Sequence, residues 1–250
     1  MDRSGFFRLA VSATGLAGLP TLFLNTSVIS AQAACSPIGP YSNSADTIVC
    51  GAGAGGNLDT LGGDDSVTLN AGGTLGTVVI GKDNDTFTLN LGTVGSVDQG
   101  TSGDDAFING GSIGTISQGS GNDELEITAG SVTVEVDQGS FSDTMKMSGG
   151  AFAGIQQNTG KDSLIITAGT TGPIDQSDGE DYFSMEAGVE IDSLDQGGDL
   201  DEAYFNSGWI KGLYTDGDYV EFHAGRIGRI DLKKSRQQVL HGWHHGCGVN

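Results

Sequence analysis

An aspartate returns through the middle of this 250-residue chain every 17 to 20 positions: Asp65, Asp85, Asp105, Asp123, Asp143, Asp162, Asp181, Asp201 and Asp218. Each opens the same phrase, with apolar residues two and four places later and, in eight of nine copies, Gly at the seventh. A short unit repeated in this way cannot bury its apolar face alone, so it must stack on its neighbours. The pairs Val67/Leu69, Phe87/Leu89, Leu125/Ile127, Met145/Met147, Leu164/Ile166, Phe183/Met185, Ala203/Phe205 and Val220/Phe222 alternate with mostly polar residues. That period of two describes a strand with one buried face, whereas a helix needs spacings of three and four. Only Asn109, paired with Phe107, breaks the pattern.

A looser second phrase follows the Gly, as in Val94-Gly95-Ser96-Val97, Ile113-Gly114-Thr115-Ile116 and Ile227-Gly228-Arg229-Ile230. From Gly to the Gln that ends it is seven residues in Gly92 to Gln99 but eight in Gly130 to Gln138 and Gly188 to Gln196, so the repeat carries insertions. Gln99, Gln118, Gln138, Gln157, Gln176 and Gln196 each lie two residues after an apolar one, which aims them at the interior of an extended chain. We expect an internal Gln ladder, in which stacked amides satisfy one another; the alternative is an exposed turn residue. The 43 glycines supply tight corners and only four prolines interrupt the chain. The fold expected for residues 61–232 is all-β, a right-handed parallel β-helix of about nine coils with a repeat of 19–20 residues.

The ends differ from the middle. Residues 1–34 have Arg3 and Arg8, an apolar stretch from Leu9 to Leu24, and Ala31-Gln32-Ala33-Ala34, the layout of a cleaved secretory signal peptide. Residues 35–60 then form an N-terminal cap, where export to an oxidising compartment would let Cys35 pair with Cys50, contributing about 3 kcal/mol. Residues 233–250 share nothing with the repeats: they hold three of the four histidines, three of the eleven basic residues and no acid. The change falls in mid-coil after Leu232, as an out-of-frame tail on a truncated product would look.

The signal peptide, the early cysteine pair in Ala34-Cys35-Ser36-Pro37 and Thr47-Ile48-Val49-Cys50-Gly51, and the Gly- and Asp/Asn-rich coils through residue 232 together resemble the passenger domains of bacterial autotransporters (type V secretion). The resemblance implies an exported, non-enzymatic adhesin or surface-interaction module, with an unknown host or cell-surface ligand. It also implies a translocator barrel in the outer membrane, for which this chain has no candidate. The expected location is the cell surface or outer membrane for a full-length protein and the periplasm for a truncated one.

The other function classes are weaker. Gly110-Gly111-Ser112-Ile113-Gly114 matches a nucleophile elbow but lies inside a repeat, and its only histidine before the tail is His223, coils away. Between residues 35 and 232 there are 31 acidic and 6 basic residues, which excludes nucleic acid and argues against a lyase for acidic polysaccharide. A β-helical polysaccharide-active enzyme is the less favoured alternative, since so many acids make any carboxylate pair uninformative. The stronger rival is a calcium-binding β-roll-like protein. Gly62-Gly63-Asp64-Asp65, Gly103-Asp104-Asp105 and Gly121-Asn122-Asp123 resemble its turns, although an Asx turn, in which each Asp side chain bonds backbone, explains them as well. His241, His244, His245 and Cys247 are read as an accident of the tail. We therefore assign no catalytic, cofactor or metal residue from sequence.

Overall fold

A computed structural model describes residues 35–70, 72–215, 219–232 and 238–241. The signal-peptide segment, Asp218, His244, His245 and Cys247 lie outside the described residues. The chain winds into a β-solenoid of about nine turns, with two long sheets of 12 strands each, parallel throughout except at the first strand, and no helix among the described residues. One strand per turn enters each sheet. The first sheet takes the four-residue strands that follow the aspartates, such as Thr86–Leu89 and Glu124–Ile127. The second takes the strands after the Gly, such as Gly73–Val79, Gly92–Asp98, Ser112–Ser117 and Ser131–Asp137.

The period-two pattern folds as expected: every second residue is buried in the first-sheet strands from Thr47–Cys50 to Glu202–Phe205, and in the following strand Val220 is buried and Phe222 partly so. Register stacks like positions, and it also balances their size. Phe87 is followed one turn on by Ala106, and Phe183 by Ala203, so a large ring and a small side chain share the space. In the second sheet, the eight-residue spacing before Gln138 becomes a bulge opposite Ile113 and Thr115. The one before Gln196 inserts a buried Val189 ahead of the strand Glu190–Asp195.

Register corrects the repeat at one place. The residue stacked beneath Asp123 is Asp104, not Asp105, which opens the strand Asp105–Ile108 opposite Glu124. Counted from Asp104, the buried pair is Ala106 and Ile108 and the Gly is Gly111, so the break at Asn109 disappears. Asp46 proves to be a further copy, with Ile48 and Cys50 buried in the strand Thr47–Cys50, which pairs in parallel with Ser66–Leu69. The region expected as a cap thus already contains a coil. It is closed by Cys35–Ser36, antiparallel to Thr47–Cys50, and by the Cys35–Cys50 disulfide. At the other end, Gln238–His241 of the tail adds one more parallel strand beside Tyr219–Phe222, where none was expected.

Candidate functional site: a buried carboxyl column and two outer faces

The aspartates form one column at the corner before the first sheet. There the strand ladder has not begun, so each Asp N–H needs another acceptor, and it finds the Asp side chain one coil on. Asp46 donates to Asp65 Oδ1, Asp65 to Asp85, Asp85 to Asp104, Asp104 to Asp123, Asp123 to Asp143, Asp143 to Asp162, Asp162 to Asp181 and Asp181 to Asp201, at 2.7–2.9 Å. The Asp carbonyls are also used: Glu124 N–H, for example, donates to Asp104 O at 2.9 Å. The Asx-turn reading is right that the side chain bonds backbone, but the bonds run between coils. They stitch the solenoid along its axis.

The second oxygen has no such partner. Oδ2 of Asp65, Asp85, Asp104, Asp123, Asp143, Asp162 and Asp181 is buried without a hydrogen bond. For Asp85, Asp104, Asp123, Asp143, Asp162 and Asp181, burial is the main reason the carboxyl holds its proton tightly, with the neighbour's N–H opposing it. The pKa is pushed up to about 7 for Asp85, about 8 for Asp104, about 7 for Asp123, about 8 for Asp143, about 6 for Asp162 and about 7 for Asp181. Like charges stacked at strand spacing, about 4.8 Å, would repel strongly in such a setting, so the column calls for neutralisation.

Calcium would be one neutraliser, and the two ends of the column suit it differently. The orphaned Oδ2 atoms are the hard oxygens calcium takes, but it needs several more from nearby turns. The residue before each column Asp could add one at Asp64, Asn84, Asn122 and Ser142, although Asp64 Oδ1 already accepts from Asn84 N–H and Asn122 Oδ1 from Ser142 N–H. At the same place later coils carry Lys161 and Leu200, whose side chains cannot ligate, and Glu180, which is paired with Lys161. The N-terminal turns thus carry more side-chain oxygens at this place than the later ones, but among the described residues no three His, Cys, Asp or Glu side chains come together as a metal site.

The Gln ladder stands as expected. All six glutamines are fully buried; Gln138 Nε2 donates to Gln118 Oε1 at 3.0 Å, Gln157 to Gln138 at 2.8 Å, Gln176 to Gln157 at 2.9 Å and Gln196 to Gln176 at 3.3 Å. Gln99 instead donates to Asp105 O at 2.9 Å. Sequence reading missed the column's outer members, Thr60, Ile80 and Thr215, all buried. The signal was their place, two residues after the apolar Leu58, Val78 and Leu213.

Interior chemistry is thus structural, and the exposed groups differ along the axis. On the second sheet, Thr74, Thr93, Ser112, Ser131, Ala151 and Thr170 stack in register as one outward column. Thr77, Ser96 and Thr115 stack as another, ending at Glu135, with Ser96 Oγ donating to Thr77 Oγ1 at 3.2 Å. Gly76, Gly95 and Gly114 lie between them, and a Cβ on Gly114 would strike the carbonyl of Gly95. Glycine therefore keeps this face flat. Further along, the first column continues as Glu190, Trp209 and Arg226.

The structure does not assemble a catalytic group from the sequence candidates. Ser112 Oγ accepts from Ser131 Oγ at 3.2 Å on the second sheet, whereas His223 follows a first-sheet strand several coils later and pairs with Glu221 at 2.9 Å. The cations are spread out as ion pairs: Lys146 with Glu124, Lys161 with Glu180, Lys211 with Asp192 and Arg229 with Asp231. They do not line a common groove.

No family model and no curated protein matches the chain. Among solved structures it is similar to a hyperactive, Ca2+-dependent, β-helical antifreeze protein from an Antarctic bacterium, with a TM-score of 0.62 at 18% identity over 81% of each chain. At that identity the likeness is one of fold: a parallel β-helix.

Proposed function

We propose that this chain is an exported, non-enzymatic contact scaffold, the passenger part of an autotransporter-type adhesin, which meets its partner through the outer face of the second sheet between Thr74 and Thr170. One observation carries the reading: in a chain of net charge −21, the two stacked outward columns from Thr74 and from Thr77 hold hydroxyls and Ala with Gly between them up to Glu135, while the acids Asp98, Asp137 and Asp175 are confined to a third column at the end of the strands. The two hydroxyl columns are flat and repetitive, with the acids set along one edge. They suit an extended hydroxylated surface, such as a glycan polymer, better than a small ligand enclosed in a pocket.

A second reading is ice binding supported by calcium. It is favoured by the same face, by the orphaned Asp oxygens and by the likeness in fold to an antifreeze protein that depends on Ca2+. The full chain and the Thr93→Lys/Thr115→Lys double variant should be compared for co-sedimentation with chitin, cellulose and peptidoglycan, and for uptake into growing ice. The contact reading expects sedimentation that the double variant loses, with no ice uptake. Ice uptake, together with an unfolding midpoint raised by millimolar calcium, would replace it with the second reading. Retention on neither solid, or retention that the variant keeps, would overturn the contact face itself.

A further inference from the structure

The last coils present a second surface, on the other sheet and of different chemistry. Outward positions of the first-sheet strands Tyr182–Met185, Glu202–Phe205 and Tyr219–Phe222 place Tyr182, Tyr204 and Tyr219 in a zigzag, with ring centroids 5.4 and 5.7 Å apart and planes tilted by 37° and 50°. Ser184 stands in the same outward row as Tyr204, yet it is only 8% exposed. The rings thus make a continuous platform. Two carboxylates are fixed in it: Tyr204 OH donates to Glu202 Oε2 at 3.1 Å and Tyr219 OH to Glu221 Oε2 at 2.8 Å. Burial first, and then the bond to Glu202, raises the Tyr204 pKa; for Tyr219 the bond to Glu221 comes first. The rings stay neutral and the acids stay in place.

The same coils show elsewhere what a ring beside a carboxylate holds. On the second sheet, Lys211 Nζ lies 5.9 Å from the Trp209 ring centre and pairs with Asp192, and the Arg229 guanidinium lies 5.9 Å from the Tyr214 ring centre and pairs with Asp231. Each is a cation shared between a π face and an acid. Among the described residues both such contacts are on the second sheet, while the Tyr platform has rings and acids, with His223 against Glu221 at one margin and Lys161, paired with Glu180, beside Tyr182 at the other.

We propose that the Tyr182–Tyr204–Tyr219 platform, with Glu202 and Glu221, is a docking site for a basic segment of a partner protein, whose Lys or Arg side chains lie on the rings and against the carboxylates. The charge is complementary, and the second sheet supplies the pattern in filled form. This face is separate from the hydroxyl face, so either can fail without the other.

The test is fluorescence anisotropy of a labelled octa-arginine peptide with the full chain at about 0.15 M salt, where long-range attraction to a net negative protein is screened. Tyr204→Ser leaves the net charge unchanged and should weaken binding about fivefold or more. Tyr204→Phe, which keeps the ring, should retain most of it. Glu124→Gln removes a charge from the same sheet far from the platform and should stay within about twofold of wild type. Should Tyr204→Ser fail to fold, Glu202→Gln/Glu221→Gln must weaken binding more than Glu124→Gln paired with Glu126→Gln. Equal binding by Tyr204→Ser, or equal losses from near and distant charge removal, would overturn the proposal.

Discussion

The early and late coils of this solenoid have closely similar insides and different outsides. Asp and apolar columns run through both, with Asp65 and Asp181 in equivalent hydrogen-bonding roles, and the position that Gln fills from Gln99 to Gln196 is taken by buried Thr60 and Ile80 in the first coils. Outside, Ser66, Thr68, Thr86 and Thr88 of the early first sheet give way to Tyr182, Tyr204, Glu202 and Tyr219. The difference shows which positions stacking controls. An inward residue must suit the residues above and below it, whereas an outward one meets water and is free to be specialised. Function in this molecule is therefore sought on the surface, and stability in the columns.

That comparison breaks if an inward substitution is cheap or an outward one costly. The largest effect should come from Gly119→Val. Gly119 has φ 92° and its added Cβ would strike the Gly100 carbonyl, so strain and clash together should cost about 4 kcal/mol or more, seen as loss of the cooperative unfolding transition. Next comes Gln138→Leu, which strands Gln118 Oε1 and the Gln157 amide in a dry interior; a loss of about 2–4 kcal/mol by urea unfolding is expected. Smallest is Thr88→Ser on the outer face, expected to stay within about 0.5 kcal/mol in the same assay. A Gln138→Leu protein as stable as Thr88→Ser would remove the distinction between columns and surface.

Much of this was legible in the sequence because a stacked fold writes its register as a period. The strand faces, the Gln column and the parallel arrangement all followed from spacing. Spacing failed where two candidates were adjacent: Asp104 and Asp105 both fit the repeat, and only inter-coil bonding separates them. Asp46 escaped because its phrase runs into the cysteine region, where Cys50 takes the place of an aliphatic residue. The axial Asp bonds were hidden for a deeper reason. A side chain that bonds its own turn and one that bonds the next coil require the same residue at the same place. Nor could sequence say that Tyr182, Tyr204 and Tyr219 meet, since two of them occupy one outward row and Tyr204 the other.

The central claim is that the buried aspartates from Asp85 to Asp181 hold their protons more tightly in the folded chain than in the unfolded one, and the pH dependence of unfolding tests it. Folding raises the pKa of Asp85, Asp104, Asp123, Asp143, Asp162 and Asp181 from an unfolded value near 3.8 to between about 6 and 8. Their contribution is then fully present below about pH 3.8 and is lost as pH rises through that upper range. Repulsion among surface acids weakens with acid as well, so the decisive quantity is the difference between wild type and Asp123→Asn, measured by urea unfolding in EDTA from pH 4 to pH 9. The Asn variant keeps an oxygen for the Asp104 N–H but cannot ionise. Wild type is expected to lose at least about 1 kcal/mol more than the variant over that range. Parallel curves, or a wild type that gains stability relative to the variant as pH rises, would contradict tighter proton binding in the folded column.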